Sequence, residues 1–122
     1  MNNGKPSFAK SYGRARENII ISLGGSLVAP NEIDTVFLKA FKNTVKKHLN
    51  DKRFFIFVGG GKIARNYQKA LMEFGADSND RDLIGIDASR LNAKVVKQMF
   101  GELAFSEVIT NPTKKIITRK DI

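Results

Sequence analysis

Cysteine is absent from the 122 residues, and histidine occurs once, as His48. The first absence excludes a disulfide framework and any thiolate metal site. The second leaves His48 without the partners that a zinc site requires, and no metal ligand set is expected of this chain. Long apolar runs are missing too. None approaches the length of a membrane-spanning helix, and the first residues contain no hydrophobic signal core. A soluble, cytoplasmic protein is the expectation. There is no internal repeat and no interior linker, so the length and an apolar fraction of 42% describe one ordinary domain with a modest core.

Acidic residues are the scarcer charge, 12 against 21 basic, for a net charge of +9. The excess is concentrated at the ends. Residues 1–18 hold four basic side chains and one acidic, residues 114–122 the same, and the long body 19–113 thirteen against ten. Basic ends fit solvated tails or a nucleic-acid contact, the former being favoured. The mildly basic body suits a small ligand that carries phosphate.

Met1–Glu17 shows no sustained period and reads as a flexible basic tail, leaving 18–122 as the folded part. Asn18–Leu23 is a short β-branched apolar run ended by Gly24-Gly25, which predicts a buried strand. Pro30-Asn31 predicts a helix start, with Asn31 as N-cap and Glu32 and Asp34 in the first turn. Ile33, Val36, Phe37, Ala40, Phe41, Val45 and Leu49 supply the apolar stripe of that helix, and Lys39, Lys42, Lys46 and Lys47 the other face. Phe54–Val58 predicts a second buried strand, ended by Gly59-Gly60-Gly61. A helix follows, with Ile63, Ala64, Tyr67, Ala70, Leu71 and Phe74 on one face and Gly75 as its stop. After a polar turn at Asp77–Asp82, Leu83, Ile84, Ala88, Leu91, Val95 and Met99 predict a third helix ending near Gly101. Val108-Ile109 is a brief apolar segment, Thr110-Asn111-Pro112 a turn, and Ile116-Ile117 a candidate strand. Two buried strands joined by a crossover helix form a right-handed unit with a parallel sheet, so the class is α/β with helices covering the sheet.

Ligands of parallel α/β sheets sit beyond the carboxyl ends of the strands. Both expected strands end there in glycine, at Gly24-Gly25-Ser26 and at Gly59-Gly60-Gly61-Lys62. Glycine lets main-chain N–H groups approach an anion closely, and the second turn also opens a helix whose first amides and positive dipole end favour phosphate. Lys62 and Arg65 add cations at its mouth, and Arg65 can grip phosphate oxygens through two parallel hydrogen bonds. Glycines also close ordinary strand-to-helix turns, but two such turns on neighbouring strands point to a phosphate-transfer cleft. A Walker A loop is excluded, because Gly61-Lys62 is followed by Ile63 and no glycine lies five residues before Gly61. Gly59-x-Gly61-x-x-Ala64 matches the relaxed dinucleotide fingerprint, yet Asp80 and Asp82, at the expected distance, follow no strand.

Four stretches occur in the order and spacing of one family: Ile20–Leu27, Phe57–Tyr67 (reading V-G-G-G-K-x-A-R-x-Y from Val58), Asp82–Ile86 and Ser89–Ala93. Together they resemble the uridylate kinases of the amino acid kinase superfamily, in particular the archaeal type, from about Asn18 to Phe105. The resemblance implies the N-terminal lobe of a three-layer αβα amino acid kinase fold. It also implies transfer of the γ-phosphoryl group of ATP to UMP, with magnesium carried by the nucleotide. It assigns Gly24, Gly25 and Ser26 to ATP phosphates, Gly60 to UMP, and Gly61 and Arg65, with Lys62, to the transferring phosphate. Asp82 would accept hydrogen bonds from the UMP ribose hydroxyls, as a donor-free carboxylate can. Full-length relatives assemble as homo-hexamers. Two departures stand out. Many superfamily members carry lysine where this chain has Ser22. The family's second half, with a further UMP-binding segment and the ATP base pocket, has no counterpart here, so a truncated kinase domain is expected.

Other readings stay open. Asp82 also fits a helix N-cap, Ser89–Asn92 fits helix packing or a subunit contact, and His48 fits a surface position. Phe54-Phe55-x-Phe57 resembles an RNA-stacking platform but fits a buried core strand better. The alternatives to a uridylate kinase are a non-catalytic nucleotide- or RNA-binding module and a sibling kinase acting on a carboxylate or carbamate.

Overall fold

The computed structural model describes residues 16–111, 113, 115, 116 and 118–122. Most of the expected basic tail therefore lies outside the described residues, as does Ile117. Strand β1 runs Glu17–Leu23, a single helical turn α1 Gly25–Val28, helix α2 Thr35–Lys46, strand β2 Lys52–Val58, helix α3 Gly61–Glu73 and helix α4 Ser78–Phe100. A 3-10 turn, Gly101–Leu103, follows. The two strands pair in parallel, from Glu17 opposite Lys52 to Leu23 opposite Val58, with α2 as the crossover. This is the expected α/β architecture.

Successive side chains of a strand point to opposite faces, so this register sorts the apolar residues into two sets. Ile19, Ile21 and Leu23 with Phe54, Ile56 and Val58 pack into the core against Leu38, Val45, Val96 and Phe100. Ile20, Phe55 and Phe57 point the other way, with Ile20 73% and Phe57 64% exposed. The strands expected to be buried are thus buried on one face.

Helix α2 departs from its expected start. Asp34, not Asn31, is the N-cap, its carboxylate accepting from the Phe37 amide at 2.9 Å. Asn31 has another task, since its Oδ1 accepts from Lys62 Nζ at 2.6 Å. The residues of α2 buried in the core are Leu38 and the expected Val45, with Phe37, Phe41 and Leu49 half-buried, while Ile33, Val36 and Ala40 are exposed. Phe41 bridges to α4, its ring edge-on to Phe100 with centroids 6.2 Å apart.

Helix α3 stops as expected at Gly75, whose φ of 82° is left-handed and suits glycine. Of its expected face only Ala64 is buried, Ile63 and Leu71 are half-buried, and Tyr67, Ala70 and Phe74 are exposed. Helix α4 begins earlier than expected, because Asp77 caps it by accepting from the Asp80 amide at 2.9 Å. The polar turn is therefore the first helical turn, and Asp82 is a helical residue, not a cap. The buried stripe is Ala88, Asn92, Val96 and Phe100, one position on from the expected Leu91, Val95 and Met99; Leu83 and Leu91 are exposed. A residue covers the surface beneath the preceding turn, so a stripe read one position early looks equally periodic.

No strand forms at Ile116. Instead the end of the chain is held at two points: the Phe54 amide of β2 donates to the Asp121 carbonyl at 2.8 Å, and the Phe105 amide, beyond α4, to that of Ile122 at 2.8 Å. The guanidinium of Arg16, just before β1, pairs with the Asp121 carboxylate. His48 is exposed, as expected. No helix among the described residues is long and apolar enough to cross a membrane.

Candidate phosphate site at the strand ends

The parallel register brings the ends of β1 and β2 side by side, Leu23 opposite Val58, and with them the two glycine turns. The Gly59 amide donates to the Leu23 carbonyl at 3.0 Å, closing the last rung of the ladder. Beyond it the main chains touch. A Cβ on Gly25 would overlap the backbone of Gly59, Gly60 and Gly61, and a Cβ on Gly61 would overlap Gly25 and the Ser26 nitrogen. Gly61 also holds φ at 56°, a conformation open to glycine. Gly24 differs, since a Cβ there meets nothing within 4 Å.

Gly60 is right-handed, at φ −85° and ψ −27°, and Gly61 has positive φ. A right-handed residue followed by one with positive φ is the sequence of signs found where successive N–H groups turn toward an anion. The pair lies at the start of α3, whose dipole adds partial positive charge. Among the described residues, no backbone carbonyl accepts from the amides of Gly25, Ser26, Gly60 or Gly61. Main-chain amides without a carbonyl partner are the kind of group that an anion engages.

The two cations of α3 reach across to the segment after β1. Arg65 Nη2 donates to Ser26 Oγ at 3.3 Å, and Lys62 Nζ to Asn31 Oδ1. Neither forms an ion pair among the described residues, and the first turn of α3 contains no acidic residue. Gly25, Ser26, Gly60, Gly61, Lys62 and Arg65 are therefore brought together, with Gly24 at the entry to α1. Asp82 stands at the margin. A Cβ on Gly60 would lie 3.2 Å from the Gly85 carbonyl, and Asp82 precedes Gly85 by three residues, about 4.5 Å along the same helix face. Asp82 is exposed and, among the described residues, its carboxylate makes no hydrogen bond to either turn.

Asn92 was not among the expected site residues. It is 1% exposed, and its Nδ2 donates to the Gly59 carbonyl at 2.9 Å and to the Gly60 carbonyl at 3.3 Å. The signal for it was a polar side chain four residues from both Ala88 and Val96, on a stripe read one position away. Gln68 was also missed; its Nε2 donates to the Arg81 carbonyl at 3.0 Å, tying α3 to α4. Among the described residues no group of three His, Cys, Asp or Glu side chains could hold a metal ion.

The arrangement can receive the oxygens of a phosphate chain on main-chain amides, with Lys62 and Arg65 supplying countercharge. The amino acid kinase family model matches residues 17–121. A uridylate kinase of Thermococcus onnurineus is 36% identical over 91 residues, covering 75% of this chain and 40% of that protein. A uridylate kinase of Methanosarcina acetivorans is 39% identical over 93 residues, covering 76% and 40%. The crystal structure of the uridylate kinase from Archaeoglobus fulgidus superposes with a TM-score of 0.61 at 36% identity, over 70% of this chain and 38% of that one. The chain thus spans about two fifths of the length of these relatives. It belongs to the amino acid kinase family, and its similarity runs to the N-terminal portion of archaeal uridylate kinases.

Proposed function

We propose that this chain carries the phosphate-holding part of a uridylate kinase, the site in which the γ-phosphoryl group of ATP passes to UMP. In that reaction a phosphate oxygen of UMP attacks the γ phosphorus, the bond to the β-phosphate oxygen breaks, and UDP and ADP result. Such a transfer depends on positioning and charge stabilisation and requires no protein nucleophile. The amides of Gly25 and Ser26, entered through Gly24, hold ATP phosphates. Gly60 contacts UMP, Gly61 faces the transferring group, and Arg65 and Lys62 neutralise the charge that develops there. Asp82 accepts from the ribose hydroxyls. Magnesium enters as the counter-ion of ATP, not as a resident metal. The observation that carries this reading is the contact between two glycine turns at the ends of adjacent parallel strands, with unused amides and two cations.

Two assays test it on the chain itself. In a thermal-shift panel UMP raises the unfolding midpoint more than carboxylate or carbamate compounds do, as ligand linkage requires. Asp82→Ala removes that preference, and Arg65→Met weakens UMP binding by about tenfold. A panel in which UMP does no better than those compounds contradicts the assignment and favours a sibling kinase. In a coupled ATP-consumption assay the chain turns UMP over slowly or not at all, since it spans about two fifths of its relatives.

The exposed Phe55 and Phe57 favour a second reading, a sheet face on which unpaired bases stack. Salt-dependent binding of single-stranded RNA that is lost in Phe57→Ser, without any UMP effect, would select it.

A further inference from the structure

We infer that Asn92 is the positioning residue that aims the second glycine turn at its anion, an inference that rests on reading the turns as a phosphate site. Among the described residues Asn92 is the one buried polar side chain, and the carboxamide of a mid-helix asparagine is costly to bury without partners. Its partners are two successive carbonyls of one turn, Gly59 and Gly60.

This pairing has a directional consequence. No peptide bond among the described residues is cis. In a trans peptide the C=O and the following N–H point in opposite directions. Drawing the Gly59 carbonyl toward α4 therefore points the Gly60 N–H away from α4, and drawing the Gly60 carbonyl the same way does so for the Gly61 N–H. One side chain thereby orients two of the amides that are left for a ligand. The Gly60 carbonyl has a second donor, the Ala64 amide at 3.3 Å, but the Gly59 carbonyl has no other donor among the described residues. The turn is closely confined, because the backbone of Gly59–Gly61 packs against Gly25 and Gly60 packs against Gly85 and Ser89 of α4. Ser89 does not substitute for Asn92, as its hydroxyl donates to the Gly85 carbonyl of its own helix at 3.1 Å. Because the carboxamide is neutral, it fixes the amides without reducing the positive potential supplied by Lys62 and Arg65.

The experiment follows the Gly60 and Gly61 amide resonances of the 122-residue chain while UMP is added, in the wild type, Asn92→Leu and Asn92→Asp. Leucine keeps the volume and removes the donor. In Asn92→Leu both resonances move before any ligand is present, and UMP affinity falls about tenfold or more at full folding. In Asn92→Asp the neutral carboxyl donates to the Gly59 carbonyl but the ionised one repels it. Its affinity relative to the wild type at each pH therefore approaches unity in acid and falls as the group ionises, a pH dependence that simple packing would not give. If Asn92→Leu fails to fold, the aspartate series alone decides. Affinity within twofold of the wild type in Asn92→Leu, or a flat ratio in Asn92→Asp, overturns the inference. If UMP moves neither amide in the wild type, the phosphate-site reading fails. Ligand-free resonances unchanged in Asn92→Leu would separately overturn the orienting role.

Discussion

The rim and the flat of the same two-stranded sheet are built in opposite ways. At the rim, main chain touches main chain: the two glycine turns fill each other's Cβ space, and Asn92 holds the second from behind. On the flat, Ile20, Phe55 and Phe57 are aligned in register but exposed, although the same strands bury Leu23 and Phe54 to 3% and 6% on the reverse. The rim is made wholly from residues of this chain. The flat is apolar enough to be an interior surface, yet no described element covers it. The contact between the two glycine turns is thus a local construction of neighbouring strand ends and α4.

Substitutions can break that comparison. The largest effect is expected at the rim, where Gly25→Ala places a methyl group inside the backbone of Gly59–Gly61 and costs about 3 kcal/mol or more, while Gly24→Ala stays within about 0.5 kcal/mol. Urea unfolding of the two variants reads this directly. If both behave alike, the turns do not interlock. Next come the two faces of β2. Phe54→Ala should cost about 3–5 kcal/mol, whereas Phe57→Ala, exposed, should cost under about 1 kcal/mol. A large loss at Phe57 in the isolated chain would mean that the flat is covered after all.

A smaller effect sharpens the account of the rim's neighbour, α2. Asp34→Ala removes the cap and costs about 1 kcal/mol, while Asn31→Ala leaves the helix unchanged and frees Lys62. Equal losses would return the cap to Asn31. The smallest effect lies at the far end of the strands. Lys52 is hydrogen-bonded to Glu17 at 2.8 Å and lies near Asp51, and chiefly the bond to Glu17 holds its pKa above the ordinary lysine value. A raised folded pKa contributes stability that is fully present below the unfolded pKa and is lost as pH climbs through the folded one. Stability should therefore be flat through neutral pH on this account and dip slightly in strong alkali, a dip absent from Lys52→Met.

The sequence made the strands, both glycine turns and the cations legible because each leaves a short-range mark: a β-branched run, a glycine cluster, a charge three or four residues on. Stripe phase was harder to read. Helix α2 is capped by Asp34 while Asn31 is engaged by Lys62, distant in sequence, and nothing local to Asn31 records that. Asn92 escaped for a related reason. Its partners lie 32 and 33 residues away, so it looks like an ordinary polar residue until the chain is folded. The open flat was hidden because an apolar strand reads the same whether one face or both are covered.

The central claim is that two turns, from different strands, serve one anion. Amide chemical shifts of Gly25, Ser26, Gly60 and Gly61 measured together during a pyrophosphate titration test it most directly. The account predicts that both pairs move along one binding curve with a single Kd. Movement of one pair alone, two separate curves, or none would contradict it.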